Sequence, residues 1–140
     1  MKTWLLDTGP LVAFLDAGDP AHDRVVEVFG SLRGAFLTTG AVVTEAFYLL
    51  RYAPTGGERL VDFLDETGVL VMDVFGLDHL RRVLRLMDKY ADAPMDFADA
   101  SLVLAAEETG HDEILTLDER GFRAFRFRGT RRFRLVVQGS

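Results

Sequence analysis

Asp7, Glu45, Asp96, Asp99 and Asp118 lie far apart in the chain, but they are the residues whose types and surroundings promise chemistry. Two carboxylates about 4 Å apart repel by roughly 4 kcal/mol at an effective dielectric near 20, so a cluster of them is costly unless it takes up protons or cations. A hard divalent cation relieves the conflict. Mg²⁺ prefers oxygen ligands, keeps several waters, and is bound by a few carboxylates together with substrate phosphate, which suits an all-carboxylate set better than zinc does. Two such ions about 3.5–4 Å apart can activate an attacking water and stabilise the leaving oxygen of a phosphodiester. If the five acids meet, the chemistry they point to is hydrolysis of a nucleic-acid backbone.

Whether they meet depends on the elements that carry them. The run TWLL at 3–6 reads as a first strand, and Asp7-Thr8-Gly9-Pro10 turns it into a helix with Pro10 expected at the first helical position. Asp19-Pro20 is a second cap-and-start pair, before a helical stripe of Val25, Val26, Val28, Phe29 and Leu32 that ends at Gly34. AFLT at 35–38 reads as a strand and 41–51 as a helix, and the Pro54-Thr55-Gly56-Gly57 break precedes another helical stretch, ERLVDFLDET. Residues 69–74 read as a strand, 77–90 as a helix, 96–109 as a helix stopped by Gly110, 114–117 as a strand, and 133–137 as the last strand. Strands and helices alternate throughout. The expected fold class is α/β: one domain over 1–140 with a mostly parallel central sheet of about five strands and helices on both faces.

Ligands of such sheets bind outside the carboxyl ends of the strands. Asp7 and Asp118 each follow a strand directly, and Glu45 lies in about the second turn of the helix leaving the strand at 35–38. Asp96 and Asp99 open a helix that must descend from the same edge, because the tight Gly110-His111-Asp112 turn feeds a strand running back up. At i and i+3 these two share a helical face, close to the N-terminus where the helix dipole favours carboxylates. The reading therefore brings five acids from four segments to one edge.

Composition narrows the alternatives. A chain of 140 residues, 49% hydrophobic, fits one core able to bury roughly two-thirds of its unfolded surface. A net charge of −6 argues against a general coat for DNA or acidic membranes. Its cations are uneven, however: seven arginines (Arg120, Arg123, Arg126, Arg128, Arg131, Arg132 and Arg134) fall within 120–134. Zero cysteines exclude disulfides and thiolate chemistry and suit a reducing cytosol. Asp7, Gly9 and Pro10 cut the first apolar run too early for a signal peptide or a membrane span, so a cytoplasmic protein without a membrane partner is expected.

Four segments, LLDTGPLVAFLD, TTGAVVTEAFYLL, MDFADASLVLAAEETG and ILTLDERGF, stand in an order and spacing that is specific in combination. Through them the chain resembles, over nearly its whole length, the PIN domain of VapC-type toxins from bacterial and archaeal toxin–antitoxin pairs. The resemblance implies a single-strand-directed ribonuclease using Mg²⁺ or Mn²⁺, a cognate antitoxin and a homodimer. Position by position it makes Asp7, Glu45, Asp99 and Asp118 the catalytic, metal-holding quartet, with Asp96 an added acid for a second ion or a water. Thr8 and Thr116 match polar positions where a hydroxyl orients a water or a carboxylate.

Plainer readings stand beside these. Asp7 and Asp96 are each well placed to cap a helix, and Glu45 could be an ordinary solvated position. His22 could touch RNA or simply be structural at a helix start; His79 and His111 suggest nothing catalytic. Phe125-Arg126-Phe127-Arg128 alternates with period two, and Gly129-Thr130 could turn it toward Arg132-Phe133-Arg134. Phenylalanines facing a core and arginines facing water would explain that pattern. The alternative is that Arg120, Arg123, Arg126 and Arg128 bind RNA phosphates beside the acids, or an acidic partner segment.

Other α/β chemistries fit poorly. A haloacid-dehalogenase-like phosphatase needs an Asp two residues after the first, where this chain has Gly9. A phosphorelay receiver needs a lysine near its last strands, and the lysines here are Lys2 and Lys89. No phosphate-cradling Gly-rich loop and no Ser/His/Asp arrangement is recognisable. The rival reading is a catalytically silent PIN-like module that binds RNA or protein without cutting.

Overall fold

A computed structural model describes residues 2–136. Five strands, β1 (Thr3–Leu6), β2 (Ala35–Thr39), β3 (Leu70–Met72), β4 (Glu113–Leu115) and β7 (Arg134–Leu135), form one sheet in the order β3-β2-β1-β4-β7. Every pairing in it is parallel, with Leu5 opposite both Leu37 and Ile114. The helices between them are α1 (Thr8–Leu15), α2 (His22–Ser31), α3 (Gly40–Leu49), α4 (Gly56–Thr67), α5 (Leu77–Lys89), α6 (Phe97–Thr109) and α7 (Glu119–Ala124). Two short strands, β5 (Arg126–Phe127) and β6 (Arg131–Arg132), pair antiparallel as a hairpin between α7 and β7.

From β1 to β3 the chain steps in one direction along the sheet; from β3 it crosses back over β1 to β4. Right-handed crossovers then put the helices of the two series on opposite faces. The reversal falls between β1 and β4, where an open parallel sheet leaves its binding crevice.

The core explains why the elements sit as they do. Leu5, Leu6, Leu37, Ile114 and Leu115 fill the sheet, and Ala100, Leu102, Val103, Leu104, Ala105 and Ala106 of α6 are buried with them. Small residues alternating with large ones let α6 lie close to the strands. Its C-terminus turns on Gly110, at φ +78, as the sequence predicts for a left-handed stop. Phe122, Phe125, Phe127 and Phe133 make a second buried aromatic group, so the Phe/Arg alternation does place its rings inside.

Several local readings need correction. Pro10 is the third residue of α1, not the first, because Asp7 caps the helix and Thr8 opens it. Pro10 is still harmless there, since first-turn N–H groups have no intrahelical acceptor. Asp19 does not cap α2: its carboxylate accepts from Ala21 N at 2.8 Å in a turn, and α2 starts at His22. The strand read at 69–74 is reduced to Leu70–Met72, since the Asp73 carboxylate takes the Phe75 N–H and bends the chain away. Of the strand expected at 133–137, Arg134–Leu135 pairs with β4, and Val137 lies outside the described residues. The short helix α7 was not foreseen at all.

Candidate active site

Asp7 leaves the end of β1 at the β1–β4 junction, its N–H bonded to Leu115 O of β4 at 3.0 Å. Its carboxylate is buried and held at both oxygens: Thr8 N donates to Oδ1 at 2.8 Å, and the Thr116 hydroxyl donates to Oδ2 at 2.6 Å. The same Thr116 oxygen accepts from Asp118 N at 2.9 Å, so one hydroxyl ties the two acids that follow β1 and β4. Asp118 in turn caps α7 by accepting from Gly121 N at 3.0 Å.

Asp96 and Asp99 form a reciprocal capping box at the start of α6. Asp99 N donates to Asp96 Oδ1 at 2.8 Å and Asp96 N to Asp99 Oδ2 at 3.2 Å. Glu45 comes from α3, whose start is fixed by the Thr39 hydroxyl accepting from Val42 N and hydrogen bonded to Ser101 of α6 at 2.7 Å. That buried link between α3 and α6 positions Glu45 against the Asp96–Asp99 pair.

All five acids, with Thr8, Gly9, Leu49 and Leu117, line one open cleft of about 480 Å³. The capping roles anticipated for Asp7 and Asp96 are real, and they coexist with membership of the cleft, because a carboxylate oxygen that accepts one hydrogen bond keeps a second lone pair for a ligand. Glu45 is half-buried and makes no cap.

The electrostatics record the crowding. Burial pushes the Asp7 carboxyl up to about 6, with the Asp96 and Glu45 charges adding to the rise and the Thr116 and Thr8 hydrogen bonds opposing it. Asp99 is pushed up to about 8, first by burial and then by the charges of Asp7, Asp96 and Asp118. Each of the other acids in the cleft therefore adds to the rise at Asp7 or Asp99.

The residues fit a hard divalent cation. The donor set is carboxylate oxygen without imidazole or thiolate, and the Thr8 hydroxyl beside Asp7 is buried with no hydrogen-bond partner. Among the described residues, no group of three or more acid or histidine side chains is arranged to hold an ion unaided. An open-sided cluster of this kind suits an ion that retains waters better than it suits a closed protein cage.

The four arginines divide. Arg120 lines a neighbouring cleft of about 510 Å³ together with Asp92 and Asp118. Arg123 pairs with Glu119 at 3.1 Å along α7. Arg126 donates to the carbonyls of Arg123, Ala124 and Phe125, and Arg128, at φ +46, donates to Glu107 O at 2.9 Å. Arg126 and Arg128 thus bond backbone near the hairpin, and Arg120 stands in the neighbouring cleft that shares Asp118 with the acid cleft. His22 bonds Ala13 O at 2.7 Å and His79 contacts Glu108 at 2.8 Å, both outside the cleft.

Sequence reasoning missed the Thr39–Ser101 link, for which no local signal exists, and Gly121, for which one does. The run Asp118-Glu119-Arg120-Gly121 puts a capping acid three residues before a glycine whose N–H it takes.

No family model matches the chain. It is 32% identical over 134 residues to Ribonuclease VapC26 of Mycobacterium tuberculosis, an alignment covering 94% of this chain and 98% of that protein. Its fold superposes on the crystal structure of VapC20, a Sarcin-Ricin loop cleaving toxin of M. tuberculosis, with a TM-score of 0.71, covering 81% of this chain and 87% of the other at 20% identity. With the acids of the expected quartet lining one cleft and a near-complete alignment to a VapC ribonuclease, the chain belongs to the VapC family of PIN-domain toxins.

Proposed function

We propose that this chain is a Mg²⁺- or Mn²⁺-dependent ribonuclease that hydrolyses phosphodiester bonds of single-stranded RNA, with Asp7, Glu45, Asp99 and Asp118 as its catalytic carboxylates. The observation that carries the reading is the meeting of these acids at the carboxyl edge between β1 and β4. RNA hydrolysis is supported by the likeness to Ribonuclease VapC26; dependence on metal is supported by the oxygen-only donor set.

Bound there, a divalent ion would supply a water acidic enough to attack at neutral pH and positive charge for the leaving oxygen. The chain's own residues do the placing. Thr116 and the Thr8 N–H fix the Asp7 carboxylate in one orientation, so it meets an incoming ligand without rearranging. Asp99, whose proton affinity is raised by burial and then by its neighbours' charges, would give up its proton when positive charge enters the cluster. Glu45 faces this pair from α3, and Asp118 stands at the exposed mouth with Arg120, which is suited to hold a backbone phosphate. Asp96 fixes the start of α6 and adds a fifth acid for a second ion or an ordered water. The cleft is open to solvent, which suits entry of a single strand.

As a VapC-type toxin the protein would act on its RNA in the cytoplasm, restrained by a cognate antitoxin, and as a homodimer. No helix among the described residues is long and apolar enough to cross a membrane. A silent binding module has no observation in its favour, because every acid of the quartet lines the cleft.

The deciding experiment incubates metal-free, partner-free protein with structured RNAs and then adds Mg²⁺ or Mn²⁺. Cleavage that starts with the metal and stops with chelator is expected. Intact RNA in the presence of folded protein and metal would overturn the proposal.

A further inference from the structure

A second cleft of about 470 Å³ opens beside the acid cleft and shares Glu45 and Asp96 with it. Its other walls are mostly apolar and aromatic: Ala41, Thr44 and Tyr48 from α3, Phe75 from the loop after β3, and Phe97 and Ala98 from α6. Residues 41, 44, 45 and 48 fall at i, i+3, i+4 and i+7, so one stripe of α3 presents the carboxylate and the Tyr48 ring to the same space. Asp96 lines both clefts while the adjacent Phe97 lines only this one, so the start of α6 also serves both.

The rings are unusual for a surface. Phe75 and Phe97 lie parallel, 8° between planes and 5.9 Å between centroids, while Phe75 stays 49% exposed and Tyr48 61% exposed. Phe75 is held there. The Asp73 carboxylate takes its N–H at 2.9 Å, and its ring lies so close to Gly40 that a Cβ at that position would meet Cε2 at 2.7 Å. Arg51 sits over the Tyr48 ring, 3.7 Å from its centroid, and brings a cation to this end of α3.

We propose that this cleft is a nucleobase subsite, in which a base next to the scissile phosphate of a single-stranded RNA stacks on Phe75. The inference rests on the ribonuclease reading. The occupant follows from what the walls share: because Glu45 and Asp96 line both clefts, a group seated here is continuous with an RNA backbone held in the acid cleft. A base linked through its ribose meets that condition. The acidic wall repels a phosphate or an acidic peptide entering the slot itself, whereas a neutral base brings no charge. Aromatic faces take any base, which makes stacking the usual means by which proteins hold unpaired nucleotides. The Thr44 hydroxyl, which donates to Gly40 O at 2.8 Å, keeps lone pairs to accept from an exocyclic amine at the cleft edge.

The test uses the full chain carrying Asp7→Asn, so that RNA is held uncut, and a short single-stranded oligoadenylate. A matched series of oligomers carries one abasic position moved stepwise along the strand. One abasic position should weaken binding by about tenfold, in the range typical of a lost stacked base. Phe75→Leu keeps apolar bulk but removes the aromatic face; it should weaken the intact oligomer by a similar factor and leave that abasic oligomer unchanged. Phe75→Trp should restore binding. Equal affinity of Phe75→Leu and its parent for the intact oligomer would overturn the subsite, as would an equal loss on every abasic oligomer. A change of mass in solution on Phe75→Leu, with RNA affinity unaltered, would assign the rings to contact with a second copy and also overturn it. Failure of the wild-type chain to cut any RNA counts against the ribonuclease reading instead. Wild-type cleavage with no Phe75 effect removes the subsite alone.

Discussion

The Thr116 hydroxyl donates to Asp7 Oδ2 at 2.6 Å and accepts from Asp118 N at 2.9 Å, so a single buried side chain sets the spacing of two acids from different strands. Thr116→Val removes both bonds and leaves one buried oxygen of Asp7 and the Asp118 N–H unpartnered, a loss of about 1–3 kcal/mol. It should also raise the proton affinity of Asp7, since this bond, more than the one from Thr8 N, opposes the rise caused by burial. The expected result is a lower melting temperature and an acidic limb of the pH–rate profile displaced upward. Thr116→Ser should restore both. A profile unmoved by Thr116→Val would deny the hydroxyl any role beyond packing.

Asp99→Asn removes a charge from a site that already resists it, and Asp7→Asn does the same in a fully buried position. Both variants are expected to lose RNA cleavage altogether while thermal stability without metal stays level or rises. Denaturation curves run beside cleavage assays will separate the two effects. Unfolding of both variants would make these acids structural.

The same crowding makes the metal-free protein sensitive to pH. Asp7 and Asp99 are raised from 3.8 to about 6 and about 8, so across this interval the folded chain binds more protons than the unfolded one. Their contribution to stability is complete below the unfolded value and is lost as pH climbs to about 8. The melting temperature of chelator-treated protein should therefore fall between about pH 5 and about pH 8, and Asp99→Asn should flatten the decline. Saturating Mg²⁺ should flatten it as well, because the cation takes the place of the protons. A melting temperature rising with pH in this interval would contradict the assignment.

Gly121 donates its N–H to Asp118, and a Cβ on it would clash with Asp118 Oδ2 and lie 3.0 Å from Cγ. Gly121→Ala must swing the carboxylate out of its cap. Because Asp118 is exposed, the displacement should cost about 1 kcal/mol of stability, the worth of a lost cap, and a much larger share of activity. Cleavage rates and urea midpoints measured together will show whether the two separate; full activity in a Gly121→Ala chain would place Asp118 outside the chemistry.

Much of this architecture is legible in the sequence because it depends on local signals. Asp7 closes an apolar run and opens a helix, Gly110 stops one, and the acid spacing of Asp96 and Asp99 is a capping box as well as a shared helix face. What the sequence hides is of two kinds. Arg126 and Arg128 look like free cations but bond backbone carbonyls: Arg126 folds back on the three residues before it, and Arg128 takes Glu107 O, which only the folded chain brings near. Helix α7 spans only Glu119–Ala124, too short for any hydrophobic period, and rests on the Asp118 cap and the buried Phe122. Residues 69–74 show the converse: branched apolar content suggests a longer strand, yet the Asp73 turn ends it and delivers Phe75 to the cleft.

Strand order carries a consequence for the emerging polypeptide. The strand on one side of β1 follows within the same half of the chain, but its other neighbour, β4, is translated far later, with Thr116 standing 109 positions after the Asp7 it grips. Until that late strand inserts, Asp7 lacks its anchoring hydroxyl and Asp118 does not exist. On the proposed assignment of Asp7 and Asp118, products of translation that stop short of β4 should be inert, and the capacity to cut RNA should arise only once the ribosome has made nearly the whole of the described fold.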